Sequence, residues 1–181
     1  MKLPKDLTSV TLLLLAAAAA FADANRGEMG GYRLGDRYTV SDTTQWTTAA
    51  DRSIKIKAGQ PDAPADIDTV YLYASPATHT IGKIVYHSDF EDLDTAGAAA
   101  AHYKAELEAA YPDWERLKAP VPMGKAGGAM VSRLRRGPYA LIVFYRGTNA
   151  GAELAVEMEF ESASPERKAF RAQLREESAP P

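Results

Sequence analysis

No cysteine occurs anywhere in the 181 residues. Disulfides, thiol nucleophiles, cysteine-ligated zinc and iron–sulfur clusters are excluded together. So is a lipid-bearing cysteine behind an N-terminal leader. Histidine is scarce, with only His79, His87 and His102 in the chain. Neither sign of charge dominates: 21 Lys and Arg stand against 24 Asp and Glu, a formal net charge of -3. No overall field therefore favours a polyanion, and no nucleic-acid partner is expected. Beyond the N-terminus no apolar run approaches the roughly 20 residues of a spanning helix, so the mature chain is expected not to be membrane-embedded.

What is present begins with a leader. Lys2 and Lys5 give a positive start, and Leu7 to Ala22 is apolar with an alanine-rich centre. Two overlapping A-x-A sites follow, Ala20-Phe21-Ala22 and Ala22-Asp23-Ala24. That three-part layout predicts a cleaved signal peptide over residues 1–24, with cleavage after Ala22 or Ala24, and a periplasmic or secreted location. An uncleaved anchor is disfavoured because the run is short and rich in alanine.

The remainder suits one domain, 46% hydrophobic and 25% charged. Residues 25–31 are polar and glycine-rich and are expected to be flexible. Residues 32–177 are expected to form a single α+β domain, and 178–181 a disordered tail. Ile54 and Ile56 alternate with Lys55 and Lys57, as in a half-buried strand. Asp68 to Ala74 and Thr80 to Tyr86 are rich in β-branched and aromatic residues, with a turn at Ser75-Pro76-Ala77-Thr78 between them. Ala96, Ala99, Tyr103, Leu107 and Ala110 recur at helical spacing after a cap at Asp94 or Thr95, and Pro112 ends the helix. Three strands follow near Ala129 to Arg135, Tyr139 to Tyr145 and Glu153 to Glu161, then a short helix docking Phe170 and Leu174.

The order predicts an antiparallel sheet of about six strands, β-β-β-α-β-β-β-α, with the helices packed on one face. Its halves look like two copies of one unit, although their residues do not align.

The succession Leu34-Gly35, Pro76-Ala77-Thr78, Ile81-Gly82-Lys83-Ile84 and Tyr111-Pro112 resembles small exported proteobacterial α+β proteins of unknown function. The resemblance spans about the middle half of the chain. It implies a similar periplasmic module and carries no activity or site residue.

Searches for chemistry return little. His79 and His87 on one strand would lie about 26 Å apart, too far to share an ion. His102 and Glu106 sit one helical turn apart without a third ligand, and zinc sites need three or four. His87, Ser88 and Asp89 are consecutive, so alternate faces of a strand separate them. Gly124 to Gly128 lacks the Ser/Thr of a phosphate loop and precedes a strand. Glu157, Glu159 and Glu161 share a strand face, which reads as a solvated outer surface more readily than as a glycosidase pair. Arg133, Arg135 and Arg136 lie two strands away, with Arg146 near them after the hairpin; they are expected to pair with these glutamates, the alternative being a docking patch for an acidic partner.

No cofactor or metal is implied. Tyr71 and Tyr73 lie opposite Val70 and Leu72; with His79 they form the candidate binding face, unless the Trp46 loop packs over them. The leading expectation is a non-catalytic binding or interaction module whose partner is an envelope protein or a small ligand. The rivals are a hydrolase built on His87 or His102 with Asp89 or Glu106, and a small-ligand carrier.

Overall fold

A computed structural model describes residues 24–40, 44–59 and 62–177. The expected leader, Ala24 apart, and the tail at 178–181 lie outside the described residues. Among the described residues eleven strands and two α-helices are present. In chain order they are β1 (Glu28–Met29), β2 (Tyr32–Arg33), β3 (Trp46–Thr48), β4 (Ile54–Ala58), β5 (Thr69–Ala74) and β6 (Ile81–Phe90). Then come α1 (Leu93–Ala110), β7 (Glu115–Arg116), β8 (Val121–Pro122), β9 (Gly128–Arg136), β10 (Tyr139–Thr148), β11 (Gly151–Phe160) and α2 (Pro165–Glu177).

The expectation of an antiparallel α+β fold holds, but the six-strand order needs correction. The main sheet has nine strands, in the order β3-β4-β5-β6-β11-β10-β9-β7, with β8 also pairing β9. β1 and β2 form a separate hairpin. The additional strands are two or three residues long, too short to show a period in sequence. The last strand, β11, sits mid-sheet between β6 and β10.

Alternation sorts each strand onto two faces. Ile54 and Ile56, Leu72, Ile84 and Tyr86, Leu154, Val156 and Met158, and Leu141 and Val143 are buried together on one face. α1 covers part of that face with Ala96, Ala100, Tyr103 and Leu107. Its N-cap is Asp92, not Asp94 or Thr95: the Asp92 carboxylate accepts from the Thr95 N–H at 2.8 Å. A cap stands immediately before the first helical residue, here Leu93. Tyr111 closes the helix ahead of Pro112, as the sequence predicts.

The stretch 25–31, expected to be loose, is packed on the same face. Met29 is buried in the core, and the Asn25 side-chain oxygen accepts from the buried Trp114 indole at 2.9 Å. Composition misses this because two anchors, Met29 and Asn25, hold an otherwise polar segment.

The helices do not share a face. Phe170 and Leu174 of α2 are buried outside the main core cluster. Phe170 lies over Gly82, where a β-carbon would come within 2.2 Å of its ring. Arg167 reaches Glu159, which alternates with core-facing Met158, at 3.4 Å. α2 therefore caps one end of the face opposite α1.

Candidate functional site

The face opposite α1 carries Tyr71 and Tyr73, and it is not a bare acidic ladder. Lys83 meets Glu157 at 3.2 Å, Arg133 meets Glu161 at 3.2 Å, and Glu153 takes His87 at 3.2 Å together with Arg146. With Arg167 on Glu159, each of the four glutamates is held against a cation over buried Val85, Ile142 and Ala155. The arginine cluster read from the sequence is likewise spent locally: Arg135 forks onto Glu115 at 2.6 and 2.9 Å, and Arg136 donates to Asn25 at 3.2 Å. Apart from Arg136, whose partner is a neutral amide, the arginines and glutamates named here are paired in place.

Tyr71 and Tyr73 are roofed by lysines. Lys55 Nζ lies 3.7 Å from the Tyr71 ring centre, and Lys83 Nζ lies 4.3 Å from that of Tyr73. Burial first, then the Glu157 charge, pushes the Tyr73 hydroxyl up to about 12. Tyr71 also meets the His87 ring edge-on at 5.6 Å between centres. Trp46 does not cover these tyrosines. It pairs in register with Ile56, which places it on the opposite face, where it is 53% exposed.

His79 is not on the tyrosine face either. It belongs to the turn between β5 and β6, whose Ser75 N–H donates to the Thr80 carbonyl at 3.0 Å and whose His79 N–H donates to the Ser75 carbonyl at 2.9 Å. There it lines a cleft of about 350 Å3 with Val40, Trp46, Thr48, Arg52, Ile54 and Pro76. Among the described residues two that are not glycine have positive φ: Arg52 at 71° and His79 at 56°. Both line this cleft. Left-handed backbone at a side-chain-bearing residue costs energy and persists only where its surroundings impose it.

Local bonding shows what imposes it. In the β3–β4 turn the Arg52 N–H donates to the Ala49 carbonyl at 3.0 Å, and Asp51 accepts from the Ser53 N–H at 3.1 Å and its hydroxyl at 2.5 Å. The His79 turn is tied to the end of α2. Glu177 accepts from the Ser75 hydroxyl at 2.6 Å and the Ala77 N–H at 3.2 Å, and Gln173 donates to Thr78. Burial works against the charge on Glu177, but these hydrogen bonds prevail and its carboxyl stays below the usual range. α2 thus holds the strand turn that presents His79.

The other acid–histidine pairs lie away from this cleft. His87 approaches Asp89 at 3.9 Å on the ion-pair face, and His102 meets Glu106 at 3.2 Å on α1. None of these four side chains lines the cleft. No cluster of three or more metal-ligating side chains occurs among the described residues, and no helix among them is long and apolar enough to cross a membrane.

The sequence reading grouped His79 with Tyr71 and Tyr73, whereas the structure sets His79 apart from them in the cleft; Arg52, which lines that cleft, did not enter the reading. The available signal was Trp46, a lone large aromatic in a run of Ser, Thr and Asp. Compared with family models, curated proteins and solved structures, the chain matches none.

Proposed function

We propose that this chain is an exported, non-catalytic binding module, and that the cleft between the β3–β4 and β5–β6 turns is its ligand site. The observation that carries the reading is the convergence of Arg52 and His79, both in left-handed backbone, on one concavity beside exposed Trp46. Strain at such residues clusters at ligand sites because evolution keeps it only against a gain in function. The lining combines an aromatic plane, a forked guanidinium and an imidazole over apolar Val40 and Ile54. That set suits a small ligand with an apolar or aromatic body and one anionic group. Export is supported by the leader layout of residues 1–24, and the envelope is the expected place of work.

Anilinonaphthalene sulfonate offers a ring for Trp46 and an anion for Arg52 and His79. Titration into the folded protein should quench Trp46 emission and saturate. Trp46→Ala should remove the Trp46 share of energy transfer to the probe and leave only that from Trp114. Arg52→Gly should weaken binding while leaving the melting temperature equal or higher, because glycine adopts positive φ without strain. Probe binding unaffected by both substitutions would remove the cleft from consideration. Amino-terminal sequencing of protein from an envelope fraction tests export; a chain beginning at Met1 in the cytosol defeats it.

A further inference from the structure

A second concavity, of about 320 Å3, lies between α2 and the β3–β4 turn. Four arginines line it: Arg52 from the turn, and Arg167, Arg171 and Arg175 from α2. Asp51 is the one acid in its lining, and that carboxylate already accepts both Ser53 donors. Even with Arg167 offset by Glu159, three positive charges against one, on a chain of net charge -3, concentrate cation where the composition gives no reason to expect it. The floor is Phe170 and Leu174.

The helix spacing sharpens the point. Arg167, Arg171 and Arg175 recur every four residues, so they stack along one side of α2. Like charges at this spacing destabilise a helix. Arg167 is relieved by Glu159, and Arg175 lies in the last turn, where the helix dipole favours cations. Arg171 has neither excuse. No acidic side chain among the described residues pairs with Arg171, Arg175 or Arg52, in contrast to Arg133 and Arg135 towards the opposite sheet edge, which are paired with Glu161 and Glu115. Arg52 also holds its left-handed backbone at the rim of this groove.

We infer that this groove binds a phosphate group, either free or as an ester whose organic part rests on the Phe170–Leu174 floor. Guanidinium forks match phosphate oxygens two at a time, and several forks around one anion give more than a point charge does. The inference goes beyond the cleft described above and stands without it, since three of the four arginines belong to α2 alone.

Phosphorus NMR titration of the full chain with phenyl phosphate and with inorganic phosphate tests it, alongside co-sedimentation with phosphatidylglycerol vesicles and phosphatidylcholine vesicles as control. Saturable binding of phenyl phosphate is expected, weakened at least tenfold in Arg171→Gln/Arg175→Gln, with an unchanged or higher melting temperature as repulsion along α2 is relieved. Binding to phosphatidylglycerol without binding to the soluble esters supports the site and makes the source a lipid headgroup. Trp46→Ala should leave every phosphate response intact, which separates this test from that of the cleft. Absence of binding in all arms, or equal binding by the double glutamine variant, overturns the inference.

Discussion

Gly82→Ala adds one methyl group at the point where α2 touches the sheet. That carbon would stand 2.2, 2.3 and 2.7 Å from three atoms of the Phe170 ring. Packed carbons sit near 3.5–4.0 Å, so the ring or the helix beneath it must retreat by more than about 1 Å. Overpacking of this kind costs about 1–3 kcal/mol. Should α2 leave the sheet altogether, Phe170 and Leu174 both lose burial, and the loss rises to about 3–6 kcal/mol at about 1.5–3 for each side chain. The urea midpoint of Gly82→Ala should therefore fall, and trypsin should cut sooner at Arg167, Lys168, Arg171 and Arg175. The decisive measurement is the cycle with Phe170→Ala. Once the ring is gone the added methyl group meets no obstacle, so Gly82→Ala should cost nothing further in that background, and the better strand propensity of alanine returns about 0.5–1 kcal/mol. An equal cost in both backgrounds would refute the contact, because nothing but the Phe170 ring is invoked.

Asn25→Ala should lower stability by about 1–3 kcal/mol by leaving the buried Trp114 indole donor without a partner; an unchanged thermal melt would show that the N-terminal segment does not belong to the fold. Glu153 and Glu159 should respond to acid in opposite senses. The His87 hydrogen bond, aided by Arg146, holds Glu153 below its ordinary value, so its contribution is complete above pH 4.5 and lost as pH falls through the lower folded value. Burial raises Glu159 despite Arg167, so its ionisation costs the fold stability as pH rises from 4.5 through the higher folded value. Urea midpoints against pH should lose the first dependence in Glu153→Gln and the second in Glu159→Gln; identical profiles for the two variants would contradict the assignment. Acrylamide should quench Trp46, 53% exposed, far more than Trp114, 3% exposed, so that Trp46→Ala leaves an emission that is almost immune.

Much of the architecture is legible because it is periodic. The lysine–isoleucine alternation of β4, the glutamate–apolar alternation of β11 and the apolar stripe of α1 each dictate one element and one buried face. What composition hides is held by distant partners. Glu159 reads as solvent-facing until Arg167 is laid across it, and Met29 reads as loop until the core closes over it. The site is harder to read, for the same reason. A face drawn through Tyr71, Tyr73 and His79 reaches across the turn at 75–78, yet the backbone turns left-handed at His79, which lines the cleft beside Trp46 instead. Arg52 does not announce its positive φ, being none of the residue types enriched there, and His79, although of an enriched type, gives only a weak signal.

The placement of the final strand governs when this molecule can assemble. The residue pairs that bring β11 beside β6 join Leu154 to Ser88 and Met158 to Ile84, across more than a third of the chain. Until residues 151–160 are delivered, β6 and β10 each present an unsatisfied backbone edge rich in apolar side chains, a template for wrong pairing. Threading from its amino end, the polypeptide must have emerged past residue 160 before β6 and β10 are joined, and a copy cut short before Gly151 would expose two long adhesive seams that β11 otherwise fills.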